Sequence, residues 1–450
     1  MKTSVEFVNH ASVIVSDSNI SVLSDPWFEG NAFHKGWNLL HETSHEEVER
    51  VLDQISHIWI SHEHPDHFSI QFFKTFQEKI KNNSIQILFQ KTADKRVYNF
   101  LNTLNFDIRE LEYNSKISLS ENFHITCIKD GFYDSALLTE SHSEKILNLN
   151  DCEVTNTKRA NEVLNVTGPV DVLLTQFSFA AWKGGKNNKK WRDEAASEKI
   201  NTIKLQIEAF KPKFLIPFAS FVYFSNFDNF YLNDAANTPE TLKEKLRECP
   251  VKIVLMAPRH ILGGVSETLN EADAINFWKE KYSKISPLNK YDTIELNILK
   301  KSFLKYCERI EKNNNLTLIK ILRKITPVRA FDPVIIYLED LKAKVSFDYV
   351  KKRFFQTDAD PMLSMKSESL DFIFNNSFGF DTLTVNGCFE EENKNGFVNS
   401  TKTLAIENLN NLGIKIQIDT IFNFKIIRLF LVRLLRASRK LKTDIKDLSN

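Results

Sequence analysis

Ser61-His62-Glu63-His64-Pro65-Asp66-His67 is the stretch on which the reading of this 450-residue chain turns. It directly follows the apolar run Ile58-Trp59-Ile60. Three imidazoles and a carboxylate therefore stand in one tight turn at the end of a strand. Alternate residues of an extended chain project the same way, which pairs His62 with His64. Asp66 and His67 then turn toward a neighbouring point. Neutral imidazoles and a carboxylate suit zinc, iron or manganese. His62, His64, Asp66 and His67 are thus candidate metal ligands.

Outward from the motif, short apolar runs alternate with longer helical patterns. Residues 5–8, 12–15 and 20–23 read as strands joined by short turns, so they should pair antiparallel. Runs at 57–60, 85–89, 123–128, 136–139, 145–149, 171–175, 214–217 and 252–256 continue the series. Helical periodicity lies at 46–54, 70–79, 95–104, 195–210, 239–247 and 271–282. Strands that alternate with helices predict a layered α/β architecture, sheets inside and helices outside. Beyond residue 286 strand-like runs become rare, and helix-like basic stretches appear at 299–312 and 316–324. A small apolar block follows at 370–388. The expected division is a metal-binding domain over 1–285 and a smaller, partly helical region over 290–450.

Composition limits the alternatives. Lys and Arg number 59 against 58 Asp and Glu, a net charge of +1. No global field would draw the chain to nucleic acid. The five cysteines, Cys127, Cys152, Cys249, Cys307 and Cys388, are scattered and odd in number. That pattern argues for a reducing compartment and against a disulfide framework. Glu6, Asn9 and His10 interrupt any apolar signal core, so a cytoplasmic location is expected. The acid-free stretch 421–442 reads as a basic amphipathic helix carrying Lys425, Arg428, Arg436 and Arg439. Such a helix either packs on its own domain or lies on an anionic membrane surface.

The His motif is the signature of the metallo-β-lactamase superfamily. Further strings resemble one of its subgroups: Asp25-Pro26-Trp27, Asn31-Ala32-Phe33, Gly36-Trp37-Asn38-Leu39-Leu40-His41-Glu42, Asp130-Gly131, Lys145 to Cys152, Lys183-Gly184-Gly185 and Pro217-Phe218-Ala219. That subgroup is the metallo-β-lactamase-like module of CMP-N-acetylneuraminate hydroxylase, and the likeness spans roughly residues 20–285. It implies an αββα sandwich. It implies that Asp25 supports the metal-binding loop from behind the ligands, and that Asp151 follows a strand where a metal-bridging carboxylate belongs. Asp151 on its own also reads as a strand-ending turn residue, and Asp130 either ligates metal or opens a hairpin turn.

The departures shape the functional expectation. The hydroxylase family carries a Rieske iron–sulfur domain, which needs Cys-x-His elements. None of the cysteines begins one, so no iron–sulfur cluster is expected in this chain and an external electron-transfer protein becomes a candidate partner. The places where superfamily hydrolases set further histidines read Lys129-Asp130-Gly131-Phe132-Tyr133 and Pro217-Phe218-Ala219-Ser220. His260 is a candidate replacement or supporting residue. Two histidines with a carboxylate suit one iron in an oxygenase. The cofactor expectation is a divalent metal, iron before zinc. The first expectation is an iron-dependent hydroxylase of an anionic sugar-nucleotide or sialic-acid-like substrate, a class the resemblance implies. Lys183, Gly184, Gly185, Arg192 and Tyr133 are the candidate substrate contacts, and the basic loop alternatively reads as solvated surface. The second is a metallohydrolase in which Asp66 or Asp151 acts catalytically on a metal-bound water. The third is a metal-binding scaffold without turnover.

Overall fold

A computed structural model describes residues 2–265, 267–325 and 330–418. The chain forms two compact units, one of Met1–Lys290 with Val385–Gly387, the other of Tyr291–Thr384 with Cys388–Asn450.

The first unit is an αββα sandwich. One seven-stranded sheet has the order Ile261–Gly263, Ser4–Asn9, Ser12–Ser16, Ser21–Ser24, His57–Ile60, Gln86–Gln90, Ile108–Leu111. The first three strands in the sequence pair antiparallel, while Ser21–Ser24, His57–Ile60, Gln86–Gln90 and Ile108–Leu111 run parallel. Side-chain alternation assigns its faces. Val5, Phe7, Val13, Val15, Val22, Trp59 and Leu88 join the core that contains the second sheet. Val8, Ile14, Leu23, Ile58, Ile60 and Ile87 pack instead with Val48, Val51, Phe72, Phe73 and Leu101 of the outer helices. The second seven-stranded sheet runs from Lys252–Ile253 through Phe214–Phe218, Val172–Gln176, Glu144–Asn148, Asp134–Ser141 and Phe123–Asp130 to Lys116–Ser118. Helices Thr157–Thr167 and Lys189–Phe210 bury Ala160, Val163, Ile200, Ile203 and Ile207 in the same core.

Strand direction positions the site. Ser24 is in register with Trp59, so Asp25 and Ser61 leave adjacent parallel strands side by side. Asn148 is in register with Leu137, which brings the end of its strand to the start of the strand that begins at Asp134. Ligands in α/β sheets gather outside the carboxyl ends of strands, and these loops lie there.

Two expected elements are shorter than their patterns. The helix expected at 70–79 breaks at Phe76, which leaves the helical region and packs its ring on Phe72 and His45. The strand expected at 252–256 is limited to Lys252–Ile253. The second unit departs more. It contains a five-stranded sheet, in order Arg353–Gln356, Ala343–Asp348, Val334–Leu338, Leu363–Met365, Glu390–Glu391. Helices Leu296–Asn313 and Ser367–Asn375 meet that sheet through Phe303, Tyr306, Phe347, Phe354 and Phe374. The amphipathic stretch 421–442 lies outside the described residues. Among the described residues no helix is long and apolar enough to cross a membrane.

Candidate metal centre

A single buried carboxylate gathers the loops. Asp25 sits at φ 37°, an uncommon conformation for a residue with a Cβ. Its Oδ1 accepts from the Ser61 backbone N–H at 2.7 Å and its Oδ2 from Ser61 Oγ at 2.8 Å. Oδ2 also accepts from His67 Nδ1 at 3.1 Å and from the Asn150 amide. Three loops, at 25, 61–67 and 150, are thereby tied to one another. The Ser61 carbonyl is held in turn by Gln90 Nε2 at 2.6 Å and Ser135 Oγ at 2.7 Å. Within the motif, His67 and Phe68 both donate their backbone N–H to the His64 carbonyl, which closes the turn.

Seven side chains then converge. His62, His64 and Asp134 form one group able to hold a cation; His10, Asp66 and His67 form a second; His62, His67 and Asp151 form a third that links them. The ligand atoms in each group lie within 4.8 Å of one another. His62 Nε2 is 2.9 Å from His64 Nδ1 and 3.6 Å from Asp134 Oδ1. His67 Nε2 is 3.3 Å from Asp66 Oδ2 and 3.5 Å from Asp151 Oδ2. His10 Nε2 is 3.6 Å from the same Asp66 oxygen. Asp151 is oriented by Gln176 Nε2 at 2.6 Å, and Gln176 accepts from Lys199.

The electrostatics fit a divalent cation. His67 Nε2, His10 Nε2, Asp66 Oδ1 and Asp134 Oδ1 are buried without a hydrogen-bond partner. Buried polar atoms of native proteins are otherwise satisfied, so four that converge on a carboxylate-rich cluster mark a cation site. Burial, with Asp151 and Asp130 nearby, pushes the Asp134 carboxyl up to about 7 against the pull of His64. Burial also pushes His62 well below its ordinary range, reinforced by His67 and His64. Burial opposes the charge on Asp66 as well, but His67 and His10 outweigh it and hold that carboxyl well below the usual range.

The expected residues divide by place. His62, His64, Asp66, His67 and Asp151 come together, with Asp25 behind them. Asp130 does not join them; it accepts from Arg159 Nε at 2.7 Å and from the Glu153 N–H. His260 lies beside the first strand, where its carbonyl accepts from Phe7 N–H, and it belongs to none of the three groups. Arg192 is buried and bound in a fork to Asp234, with both bonds at 2.7 Å, and it donates to the Gly185 carbonyl at 2.7 Å. It therefore secures the Lys183-Gly184-Gly185 loop and does not line an open surface. The Tyr133 carbonyl accepts from Gln90, the same amide that holds Ser61. Two members of the cluster, His10 and Asp134, are not among the expected ligands. Asp134 stands one residue past the stretch read at 129–133, directly across the hairpin from Asp130. His10 follows the first strand at φ 29°.

No family profile matches the chain. It is similar to the cytidine monophosphate-N-acetylneuraminic acid hydroxylase of Danio rerio, 23% identical over 270 residues, which cover 56% of this chain and 44% of the relative. The Xenopus laevis protein of the same name is 28% identical over 235 residues, 48% of this chain and 38% of the relative. The match thus spans less than half the length of these relatives. Among solved structures, a diiron beta-hydroxylase from Streptomyces venezuelae superposes with a TM-score of 0.42 at 15% identity, over 58% of this chain and 54% of that one. A possible metal-dependent hydrolase from Veillonella parvula gives 0.43 at 13%, over 58% and 99%. The chain is similar in sequence to part of these hydroxylases, and its first unit combines an αββα sandwich with a candidate metal site.

Proposed function

We propose that the protein is an iron-dependent hydroxylase of a small anionic substrate, with sugar nucleotides and sialic-acid-like compounds as the substrate class. One observation carries the reading. Each of the three donor groups consists of two imidazoles and one carboxylate. That set leaves coordination positions open and is characteristic of non-haem iron oxygenases. The names of the sequence relatives agree with it. His62, His64 and Asp134, together with His10, Asp66, His67 and Asp151, would hold the iron, which would supply one-electron chemistry with O₂.

The other roles belong to this chain. Asp25 fixes the His67 ring through Nδ1, so that Nε2 faces the cluster. Gln176 holds Asp151 by one oxygen and leaves the other toward His67. Lys199 lies close enough to Asp151, Glu153 and Lys183 to feel their charge, and burial lowers its pKa. Lys199, bonded to the Gln176 that holds Asp151, is the basic residue nearest that side of the centre to meet an anionic substrate. Hydroxylation would break one substrate C–H bond and the O–O bond, place one oxygen atom in the new C–OH group, and reduce the other to water with two electrons and two protons. The electrons come from a separate donor protein.

A hydrolase is the second reading: the same imidazole and carboxylate donors could hold a metal that activates a bound water. Metal analysis of protein purified anaerobically from iron-supplemented cells separates the two. One or two irons per chain with an O₂-dependent spectral change support the hydroxylase. Zinc alone, no response to O₂, and cleavage of an ester or phosphodiester overturn it. His62→Ala and His64→Ala should each lose metal; full stoichiometry in both variants would show that the ligands lie elsewhere.

A further inference from the structure

The hairpin between Asn31–Ala32 and Trp37–Leu39 closes through Phe33, His34 and Lys35 at φ 51°, 53° and 60°. Three consecutive residues with a Cβ thus occupy the left-handed region. Hairpin turns that need such φ values select Gly, Asn or Asp, because a Cβ there crowds the backbone. An unfavourable turn persists where its surroundings over-determine it. Here three buried asparagine amides do so. The Phe33 carbonyl accepts from Asn386 at 3.0 Å, the Lys35 carbonyl from Asn226 at 3.2 Å and the Gly36 carbonyl from Asn229 at 2.9 Å. Asn229 also donates to the Asn386 carbonyl at 2.7 Å. Asn386 packs so tightly on Gly36 that a Cβ at Gly36 would come within 2.4 Å of it.

The clamp fixes an aromatic ring. Phe33 stands edge-on to Trp37, with centroids 4.6 Å apart, and to the His64 imidazole at 5.8 Å. A glycine or asparagine would make the turn more easily but would present no ring to His64.

We propose that this clamped left-handed turn positions the metal centre: it seats Phe33 against His64 and walls one side of the His62–His64–Asp134 group with hydrocarbon. Access to the open coordination positions is thereby confined to the remaining sides, and Phe33 is a positioning residue that sets it. Asn386 joins the clamp from 353 positions along the chain, which gives a residue of the far sequence a part in the site. The inference rests on His64 being a metal ligand, as the proposed function holds.

Cobalt(II) uptake by the full-length protein, read by visible absorption and titrated with azide, tests it. Phe33→Ala and Asn386→Ala should each change the cobalt spectrum and tighten azide binding by about tenfold. Phe33→Leu, which keeps an apolar wall, should stay near wild type. The double variant should do little more than either single one, because both act through the same ring. A lowered Tm with unchanged spectra and azide affinity in both alanine variants would make the turn merely structural and overturn the proposal. Where Asn386→Ala fails to fold, the contrast between Phe33→Ala and Phe33→Leu decides alone. A wild-type protein that binds no cobalt overturns the metal reading itself, which keeps the two failures distinct.

Discussion

The two ends of the donor cluster use the same residue types and differ in burial. His10, Asp66 and His67 are 1%, 3% and 0% exposed, whereas His64 and Asp134 are only partly buried. At the deep end the charges sort themselves. Burial opposes protonation of His67, but Asp66 and Asp151 outweigh it and raise its pKa well above the ordinary value. With Asp66 held ionised beside it, this end is an ion pair in the protein itself. At the shallow end His64 and His67 only partly offset the burial of Asp134, whose proton is retained up to about 7. A bound cation would let that carboxylate ionise at lower pH. In the metal-free protein the deep end is thus balanced by its own ion pair, while the shallow end, beside the His64 ring that Phe33 meets, keeps a protonated carboxyl.

The largest effect expected comes from the residue that joins the ends. Asp25→Ala removes the acceptor for Ser61 N–H, Ser61 Oγ, His67 Nδ1 and Asn150 at once. Deleting one partner of a buried charged network costs about 3–5 kcal/mol. Urea denaturation should show that loss, and metal analysis should show depletion at both ends. A change below about 1 kcal/mol with full metal content would mean that the ends assemble independently.

The next effect separates the ends by pH. The folded pKa of Asp134, about 7, lies above its ordinary value of 3.8. A raised carboxyl contributes stability that is complete below about pH 4 and is lost as pH rises through 7. The loss amounts to about 2–4 kcal/mol in metal-free protein. His10 and His62, held neutral by burial, act in the opposite sense as pH falls below 6.5. The readout is therefore the difference between wild type and Asp134→Asn. That difference should favour the variant increasingly from pH 4 to pH 8, and a flat difference would remove the distinction drawn between the ends. Metal should abolish it, because a bound cation keeps Asp134 ionised.

Replacing a ligand at one end sharpens the comparison further. His10→Gln should weaken metal at the deep end by at least about tenfold and leave the shallow end near wild type, giving a two-phase titration. Equal weakening of both phases would mean that the ends act as one site.

The different legibility of the two ends has a physical cause. His62, His64, Asp66 and His67 share one strand end, and short-range alternation makes them readable from sequence. His10 and Asp134 arrive through the sheet pairing of other strands, and nothing local marks them. Asp130 and Asp134 illustrate this. They oppose each other across one hairpin, yet Arg159, on a helix 29 positions beyond Asp130, claims the first and leaves the second for the cluster. The layered α/β architecture was legible because strands alternate with helices, and the αββα arrangement was what the resemblance implied; most strands of the first sheet divide their apolar residues between two cores. The second unit's sheet was missed where its strands are short: Leu363–Met365 has three residues and Glu390–Glu391 two, too few for alternation to show. Val334–Leu338 does alternate, with Val334, Ile336 and Leu338 buried, and was readable in principle.

Glu63 supplies the smallest effect and tests whether the motif's remaining carboxylate matters. It lies between His62 and His64 in sequence, but alternation turns it the other way, and it accepts from Arg96 Nη2 at 3.1 Å. The pair is solvent-screened, with side chains 39% and 21% exposed for Arg96 and Glu63. Exposed pairs contribute about 0.5 kcal/mol or less. Glu63→Gln should therefore shift the urea midpoint barely and leave metal stoichiometry unchanged. Loss of one metal equivalent in this variant would place Glu63 at the shallow end as a ligand, and the two-imidazole, one-carboxylate composition of that end would no longer hold.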